Sequence, residues 1–250
     1  MSQARFRFYA ELNHFLPNKR KQVEFTHTYS GRVSIKDMIE SFGIPHTEID
    51  LILVNGESVD FSYLVQHDDR ISVYPVFESF DITPVIRLRP KPLRDPRFVL
   101  DVHLGRLASY LRMLGFDALF PENYDDPHLA HISAEQHRTL LTRDRGLLMR
   151  NKVTHGYYVR ETNPRQQVIE VLRRFDLFGM VEPFKRCISC NGELQPVDKA
   201  AIIDRLPPST AEHYDEFRQC SDCEKIYWRG SHYEKMRTFV ANILQHADPA

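Results

Sequence analysis

Apolar and polar residues alternate over Arg5-Phe6-Arg7-Phe8-Tyr9, the period of a strand with one buried face, and Val23-Glu24-Phe25 follows as its hairpin partner. The period then lengthens. Ile35, Met38, Ile39 and Phe42 fall at helical spacing behind Ser34, a good cap, and Gly43 ends the run. Leu51 to Val54 reads as a strand that enters the turn Asn55-Gly56, and Arg70-Ile71-Ser72-Val73-Tyr74 closes the series. Further on, short apolar runs alternate with helical stripes. Phe98-Val99-Leu100 precedes a stripe of Leu104, Leu107, Leu111 and Leu114 that Gly115 stops. Phe116 to Phe120 is a second strand, and Asp125-Asp126-Pro127 opens a helix with proline at its first position. Thr139 to Thr142 and Tyr157-Tyr158-Val159 are further strands, after which Asn163-Pro164 starts a helix that buries Val168, Val171, Leu172 and Phe175. Ile226 to Arg229 is a last strand, followed by a helix through Tyr233, Met236, Val240, Ile243 and Leu244.

The order ββαββ over residues 1–82 predicts a ubiquitin-like β-grasp domain. Pro84, Pro90, Pro92 and Pro96 stand among basic residues in 83–96, which predicts a stiff, extended linker. Repeated β-α units over 97–182 require crossover connections, so an α/β region is expected there, a mainly parallel sheet with helices on both faces.

Composition, 42% hydrophobic and 27% charged, is that of ordinary soluble protein, and no apolar run approaches membrane-spanning length. Met1-Ser2-Gln3-Ala4-Arg5 lacks the apolar core of a signal peptide, so a cytoplasmic protein with no membrane partner is expected. The formal net charge of −1 hides a segregation. Residues 1–82 carry 8 Lys+Arg against 12 Asp+Glu, whereas residues 138–176 carry 9 against 4 and residues 85–97 carry 5 against 1. A basic middle of this kind suits a polyanion.

All four cysteines fall in two pairs, Cys187-Ile-Ser-Cys190 and Cys220-Ser-Asp-Cys223. A two-residue gap lets both sulfurs of a pair reach one ion, and Zn²⁺ accepts four thiolates in a tetrahedron. A zinc ribbon is therefore expected over 183–250, with a polar, looped stretch between the pairs and Gly192 supplying the tight turn after the first. Two disulfides are the alternative, and they would need a secreted protein. Four thiolates leave no open position, so such a zinc would be structural. Trp228, the single tryptophan, and Tyr227 can stack on unpaired bases or pack the ribbon core.

Asp101, Asp125 with Asp126, and Asp144 each follow a predicted strand, and ligands of open α/β sheets bind outside the carboxyl ends of strands. Carboxylates gathered there need a cation, and Mg²⁺ or Mn²⁺ suits oxygen donors and can activate water on a phosphodiester. Each acid also has a plainer reading, since Asp126 before Pro127 is a good helix cap and Asp144 can cap the turn that follows it. Arg106, Arg143, Arg145, Arg150, Lys152, Arg160 and Arg165 flank the acids, as a solvated face or as a cradle for phosphates.

Two resemblances bear on this. Leu53-Val54-Asn55-Gly56-Glu57 with Asp68-Asp69-Arg70-Ile71-Ser72-Val73-Tyr74-Pro75 resembles the sulfur-carrier proteins of thiamine and molybdopterin synthesis, but the Gly-Gly end on which carriers depend is replaced by Val76-Phe77-Glu78-Ser79. Residues 1–82 then read as a docking domain for a protein partner or as a stabilising appendage. The run from Phe98-Val99-Leu100-Asp101 to Gly115-Phe116-Asp117, with Asp125-Asp126 and Leu140-Leu141-Thr142-Arg143-Asp144, resembles the Mut-seven C-terminal RNase family, over about residues 97–237. That resemblance implies a PIN-like nuclease domain fused to a zinc ribbon, hydrolysing RNA with a metal held by Asp101, Asp126 and Asp144, with Asp125 beside them. His103 stands in the first motif with no assigned role.

The reading is a Mg²⁺- or Mn²⁺-dependent ribonuclease, with Arg106, Arg143, Arg145, Lys152, Arg165 and Trp228 on RNA and Cys187, Cys190, Cys220 and Cys223 on zinc. The other reading is a non-catalytic RNA-binding adaptor that recruits a protein partner through its β-grasp domain.

Overall fold

The structure is a computed structural model, and it describes residues 1–75, 88, 96–120 and 123–247. The proline-rich linker expected at 83–96 lies outside the described residues except for Leu88 and Pro96. The first region holds β1 (Ser2–Phe8), β2 (Phe25–Tyr29), α1 (Ile35–Ser41), β3 (Ile49–Val54), β4 (Glu57–Ser58) and β5 (Arg70–Pro75). The second holds β6 (Arg97–Leu100), α2 (Gly105–Met113), β7 (Asp117–Leu119), α3 (Asp126–Glu135), β8 (Thr139–Thr142), α4 (Arg145–Leu148), β9 (Gly156–Tyr158) and α5 (Pro164–Arg174). The third holds β10 (Leu194–Val197), α6 (Lys199–Ile202), α7 (Pro208–His213), β11 (Phe217–Cys220), β12 (Ile226–Trp228) and α8 (Ser231–Leu244). Contacts gather the chain into two compact units, 1–95 with 124–158, and 96–123 with 159–250. No helix among the described residues is long and apolar enough to cross a membrane.

The first region is a β-grasp. Its sheet runs β2-β1-β5-β3-β4, with β1 and β5 parallel in the middle and the other pairs antiparallel. The alternation in β1 puts Phe6 and Phe8 in the core while Arg5 and Arg7 face water. Phe6 meets Phe42 edge-on at 5.1 Å, and Ile35, Ile39, Ile52 and Ile71 are fully buried with it. Ser34 caps α1 by accepting from the Asp37 amide at 3.1 Å. Asn55 and Gly56 both take positive φ, 52° and 94°, the backbone that a two-residue hairpin turn demands. One feature went unread in the sequence: 3-10 turns over Ala10–Phe15 and Asn18–Arg20 join β1 to β2, tied by the buried amide of Asn13 to the Phe8 carbonyl at 3.0 Å.

The second region forms an all-parallel sheet with helices, in which β6 pairs with β7 and β8 with β9. Crossover helices cover the sheet, which is why Phe98, Val99 and Leu100 of β6 and all four residues of β8 are buried. In the second unit, the core around β6 is built from Phe98 against Phe175 at 5.8 Å and Phe116 at 6.3 Å, and α2 packs on α5. The helix after β7 begins one residue earlier than expected. Asp125, not Asp126, is its cap, and Pro127 takes the second helical position.

The third region is a three-stranded antiparallel sheet, β10-β11-β12, with α8 after it. The stretch between the cysteine pairs is not the loop its polarity suggested. It contains β10, α6 and α7, because Asp198 caps α6 and the apolar residues Ile202 and Leu206 cluster with Phe217. α8 leans on the second region through Phe239, stacked on Tyr110 at 4.4 Å.

Gly115 ends α2 at φ +100° and a Cβ there would overlap the Glu182 carbonyl oxygen. Gly115→Ala should therefore cost about 2 kcal/mol or more, a drop of several degrees in the thermal midpoint. A variant with unchanged melting would show that the 182–184 segment is free to move away.

Candidate functional site

Two groups of residues are the candidates for chemistry, a cysteine cluster in the second unit and carboxylates divided between the two; among the described residues only the cysteines gather into a group that could hold a metal ion. The cysteine cluster is complete. Its four sulfurs lie within 4.8 Å of one another, with Cys187 3.6 Å from Cys223 and Cys190 3.3 Å from Cys220. Zinc–sulfur bonds of about 2.3 Å put tetrahedral sulfurs about 3.8 Å apart, so this donor set could hold zinc with shifts of a few tenths of an ångström to about 1 Å. The two knuckles are built alike. In each, the first cysteine's amide donates to the carbonyl five residues on, Gly192 at 2.7 Å and Lys225 at 3.0 Å, and its carbonyl accepts from Asn191 or Glu224. Asn191 and Glu224 both sit at positive φ, 78° and 56°. Gly192 is thus needed for a different reason than the one expected. It has no left-handed backbone, and a Cβ on it would come within 2.7 Å of the Cys220 sulfur.

Electrostatics around the sulfurs are uneven. Burial raises the Cys187 thiol, but the Tyr227 hydroxyl at 3.1 Å and the amides of Ser189 and Cys190 outweigh it and bring its pKa to about 6. Burial pushes Cys190 up to about 12 despite the Gly192 amide, and burial with the Cys187 thiolate raises Tyr227. Behind the first knuckle lies Arg112, only 4% exposed, which donates from Nε to the Ala118 carbonyl at 2.7 Å and from one terminal nitrogen to the carbonyls of Ile188 and Ser189 at 3.0 and 2.9 Å. Burial lowers its pKa, and the nearby cysteines oppose that. Asn191 completes the attachment, accepting from the Ala118 amide at 2.9 Å and donating to Asp117 at 2.7 Å. Neither Arg112 nor Asn191 was singled out from the sequence, because nothing in a helical stripe marks an arginine that turns inward.

The carboxylates are placed by capping. Asp101 follows β6, is 5% exposed, and accepts from the His103 amide at 2.8 Å, while the His103 side chain is exposed. Asp144 follows β8 and accepts from the Gly146 amide at 2.7 Å. Asp125 caps α3, and the His128 ring at 2.6 Å, then its amide, hold the Asp125 carboxyl below the usual carboxylate range. Asp126 is free of that duty and faces Arg150 at 3.6 Å. Three of the four acids are therefore caps: Asp144 caps as its sequence suggested, whereas Asp126, also read as a cap, does not.

Among the basic residues, Arg106, Lys152 and Arg165 are exposed and Arg143 is partly so. Arg145 is engaged elsewhere in its unit. Its guanidinium lies over the rings of Phe15 and Tyr158, at 5.0 and 5.7 Å, and donates to the Phe15 carbonyl at 3.4 Å. Three more bonds join the β-grasp to the same segment: Glu48 accepts from the Tyr158 amide at 2.7 Å, His46 lies 3.0 Å from the Val153 carbonyl, and Lys36 reaches Asn151 at 2.6 Å. Arg165 has its guanidinium 5.8 Å from the Phe239 ring, and Trp228 is half-buried against the cluster of Ile202, Leu206 and Phe217.

Comparison with protein families places this geometry. Residues 96–240 match the model of the Mut7-C RNAse domain. The chain belongs to that family. Residues 1–81 match the Mut7-C ubiquitin model, so the Mut7-C chain carries both modules that the sequence suggested. No curated protein and no solved structure matched. Membership suggests nuclease-like function and RNA binding for this Mut7-C chain, and the ubiquitin-like module suggests protein interaction.

Removing the Arg145 side chain strips two aromatic faces of their cation at once. Arg145→Ala should lower stability by about 1 kcal/mol, read as an earlier urea midpoint with unchanged slope. No shift in that midpoint would mean that the β-grasp does not lean on α4.

Proposed function

We propose that the chain is a ribonuclease that hydrolyses RNA phosphodiester bonds with Mg²⁺ or Mn²⁺ held by Asp101, Asp126 and Asp144, with Asp125 in support. The observation that carries the reading is the match of residues 96–240 to an RNase domain. It is supported by the position of Asp101 at the first residue after β6 and of Asp144 at the second after β8, near the strand ends where such sheets bind ligands. Hard oxygen donors suit these cations, which when bound would offset phosphoryl charge and make water more acidic. The chain's own part is positioning. Capping bonds fix the carboxylates of Asp101 and Asp144, and burial of Asp101 gives a cation there less competition from solvent. Arg106, Arg143, Lys152 and Arg165 hold the RNA backbone, while Arg145 adds to the positive field from its place beside Phe15.

We assign one structural zinc to Cys187, Cys190, Cys220 and Cys223, in a ribbon over 183–250 that aids RNA binding, beside a nuclease domain over 97–182. Free thiols of this kind suit a reducing, cytoplasmic setting. A second reading keeps one specific support. Because Asp101, Asp125 and Asp144 all act as caps, a non-catalytic RNA-binding adaptor with a β-grasp partner would need the same residues.

Asparagine separates the two, since it caps a helix about as well as aspartate but brings no charge to a cation. Asp144→Asn and Asp126→Asn should keep the fold and lose RNA cleavage in Mn²⁺ or Mg²⁺ by about a hundredfold or more. Full cleavage by both variants would sink the metal-site reading and favour the adaptor.

The zinc assignment predicts one zinc per chain after purification without added metal. Thiols that react freely in the native protein, with no metal released, would remove it.

From sequence the β-grasp reads as a docking domain or as a stabilising appendage, and its bonds to residues 145–158 support the second. Deleting residues 1–82 should lower stability and cleavage together, because it uncovers Tyr158 and Arg145. A truncation as stable and as active as the full chain would restore the view of a tethered docking module.

A further inference from the structure

We propose that the cleft bounded by the ribbon sheet, the 183–188 segment and the start of α8 binds one unpaired nucleotide of RNA, an inference that rests on the ribonuclease reading and names where a single strand is held. The cleft has a volume of about 470 Å³, and its walls include Phe184, Tyr227, Trp228, Tyr233, Arg218 and Arg229. Aromatic faces of this kind stack on bases whatever their sequence, and a planar guanidinium with five N–H groups matches phosphate.

Three observations favour that occupant. Phe184 sits at φ +62°, costly for a bulky residue, and is fixed there by its amide on the Met113 carbonyl at 2.9 Å and by the Arg218 guanidinium on its own carbonyl at 3.2 Å. The strain sets its ring 4.8 Å from that of Tyr233, tilted by 46° instead of closed into a parallel stack. Arg218 is exposed and donates one bond to Phe184, and Arg229 is exposed and pairs with Glu216 at 3.2 Å, so both keep N–H groups for a phosphate. Asp215 and Glu216 also line the cleft, but Lys199 at 2.8 Å and Arg229 offset them. An apolar peptide would fill the aromatic walls and leave the arginines unmatched, whereas a nucleotide uses both. Paired bases hide their faces, which restricts the occupant to single strands.

Trp228 is the only tryptophan, so its emission reports on this cleft alone. Full-length protein without Mg²⁺ or Mn²⁺ would be titrated with short single-stranded oligouridylate and oligoadenylate, and with a blunt RNA duplex. Single strands should change the emission saturably, and Tyr233→Ala and Arg218→Gln should each weaken binding about tenfold with zinc content unchanged. Single-strand binding with silent emission and unaltered affinity in both variants overturns the proposal, as does an emission change seen only with duplex, or one driven by protein concentration alone, which would mark a contact between copies. A silent cleft in a protein that still cleaves RNA removes this inference only. Emission changes in a protein that never cleaves remove the nuclease reading and leave the cleft.

Discussion

Four sulfur atoms within 4.8 Å of one another cannot all be thiolates unless positive charge is placed among and around them, and the C-terminal part of the chain is arranged to meet that constraint. The sulfurs do not share the burden equally. Tyr227 and backbone amides draw Cys187 toward the thiolate, while burial pushes the Cys190 thiol up. A soft dication resolves the conflict and leaves a net negative cluster. Arg112 then has a reason to be buried. Its guanidinium ties the carbonyls of Ile188 and Ser189, between the first two cysteines, to β7, and supplies a positive charge beside the thiolates without touching them. An arginine buried without those carbonyls and that negative neighbourhood would cost several kcal/mol, on the order known for unpaired interior ions.

The carboxylates obey the opposite logic. A helix N-terminus offers free N–H groups, and an aspartate just before it satisfies one while gaining from the dipole, a contribution of about 1 kcal/mol. Asp101, Asp125 and Asp144 all make that bond, so fold stability alone accounts for their presence. At Asp144 the same bond engages one oxygen of the carboxylate, and at both Asp101 and Asp144 it holds the group near a strand's carboxyl end. Capping and ligation are therefore compatible demands on one side chain. Asp126 is informative because it lacks the cap and still lies beside Arg150.

Much of this was legible in the pattern of residues. Period-two alternation in β1 and the Asn55-Gly56 turn reveal the β-grasp because each is a local rule with one common solution. Apolar strands followed by leucine stripes reveal the parallel sheet, and C-x-x-C spacing reveals the four-cysteine cluster, for the same reason. What escaped notice depends on distant partners. The helices between the cysteine pairs are short and polar, and they are held by a cluster in which Phe217 and Trp228 arrive from later strands. Gly192 was credited with backbone freedom when the real requirement is room for the Cys220 sulfur of the other knuckle. The capping of α3 was misplaced by one residue because Asp125 and Asp126 are chemically alike, and only the backbone distinguishes them.

Arginines give the last step. A count of charges treats Arg145 as one more member of a basic face, yet its guanidinium spends its planar surface on Phe15 and Tyr158 and one N–H on a carbonyl of the β-grasp. Guanidinium is weakly hydrated and stacks well, so an arginine can serve as mortar between modules while its charge still reaches outward through a medium that screens over about 10 Å. The β-grasp and the segment that follows Asp144 sit in one compact unit held by stacking and by bonds to neutral partners, with Glu48 on the Tyr158 amide and Lys36 on Asn151. Any positive field from this segment is what remains after Arg145 and Arg150 have met their partners within the unit.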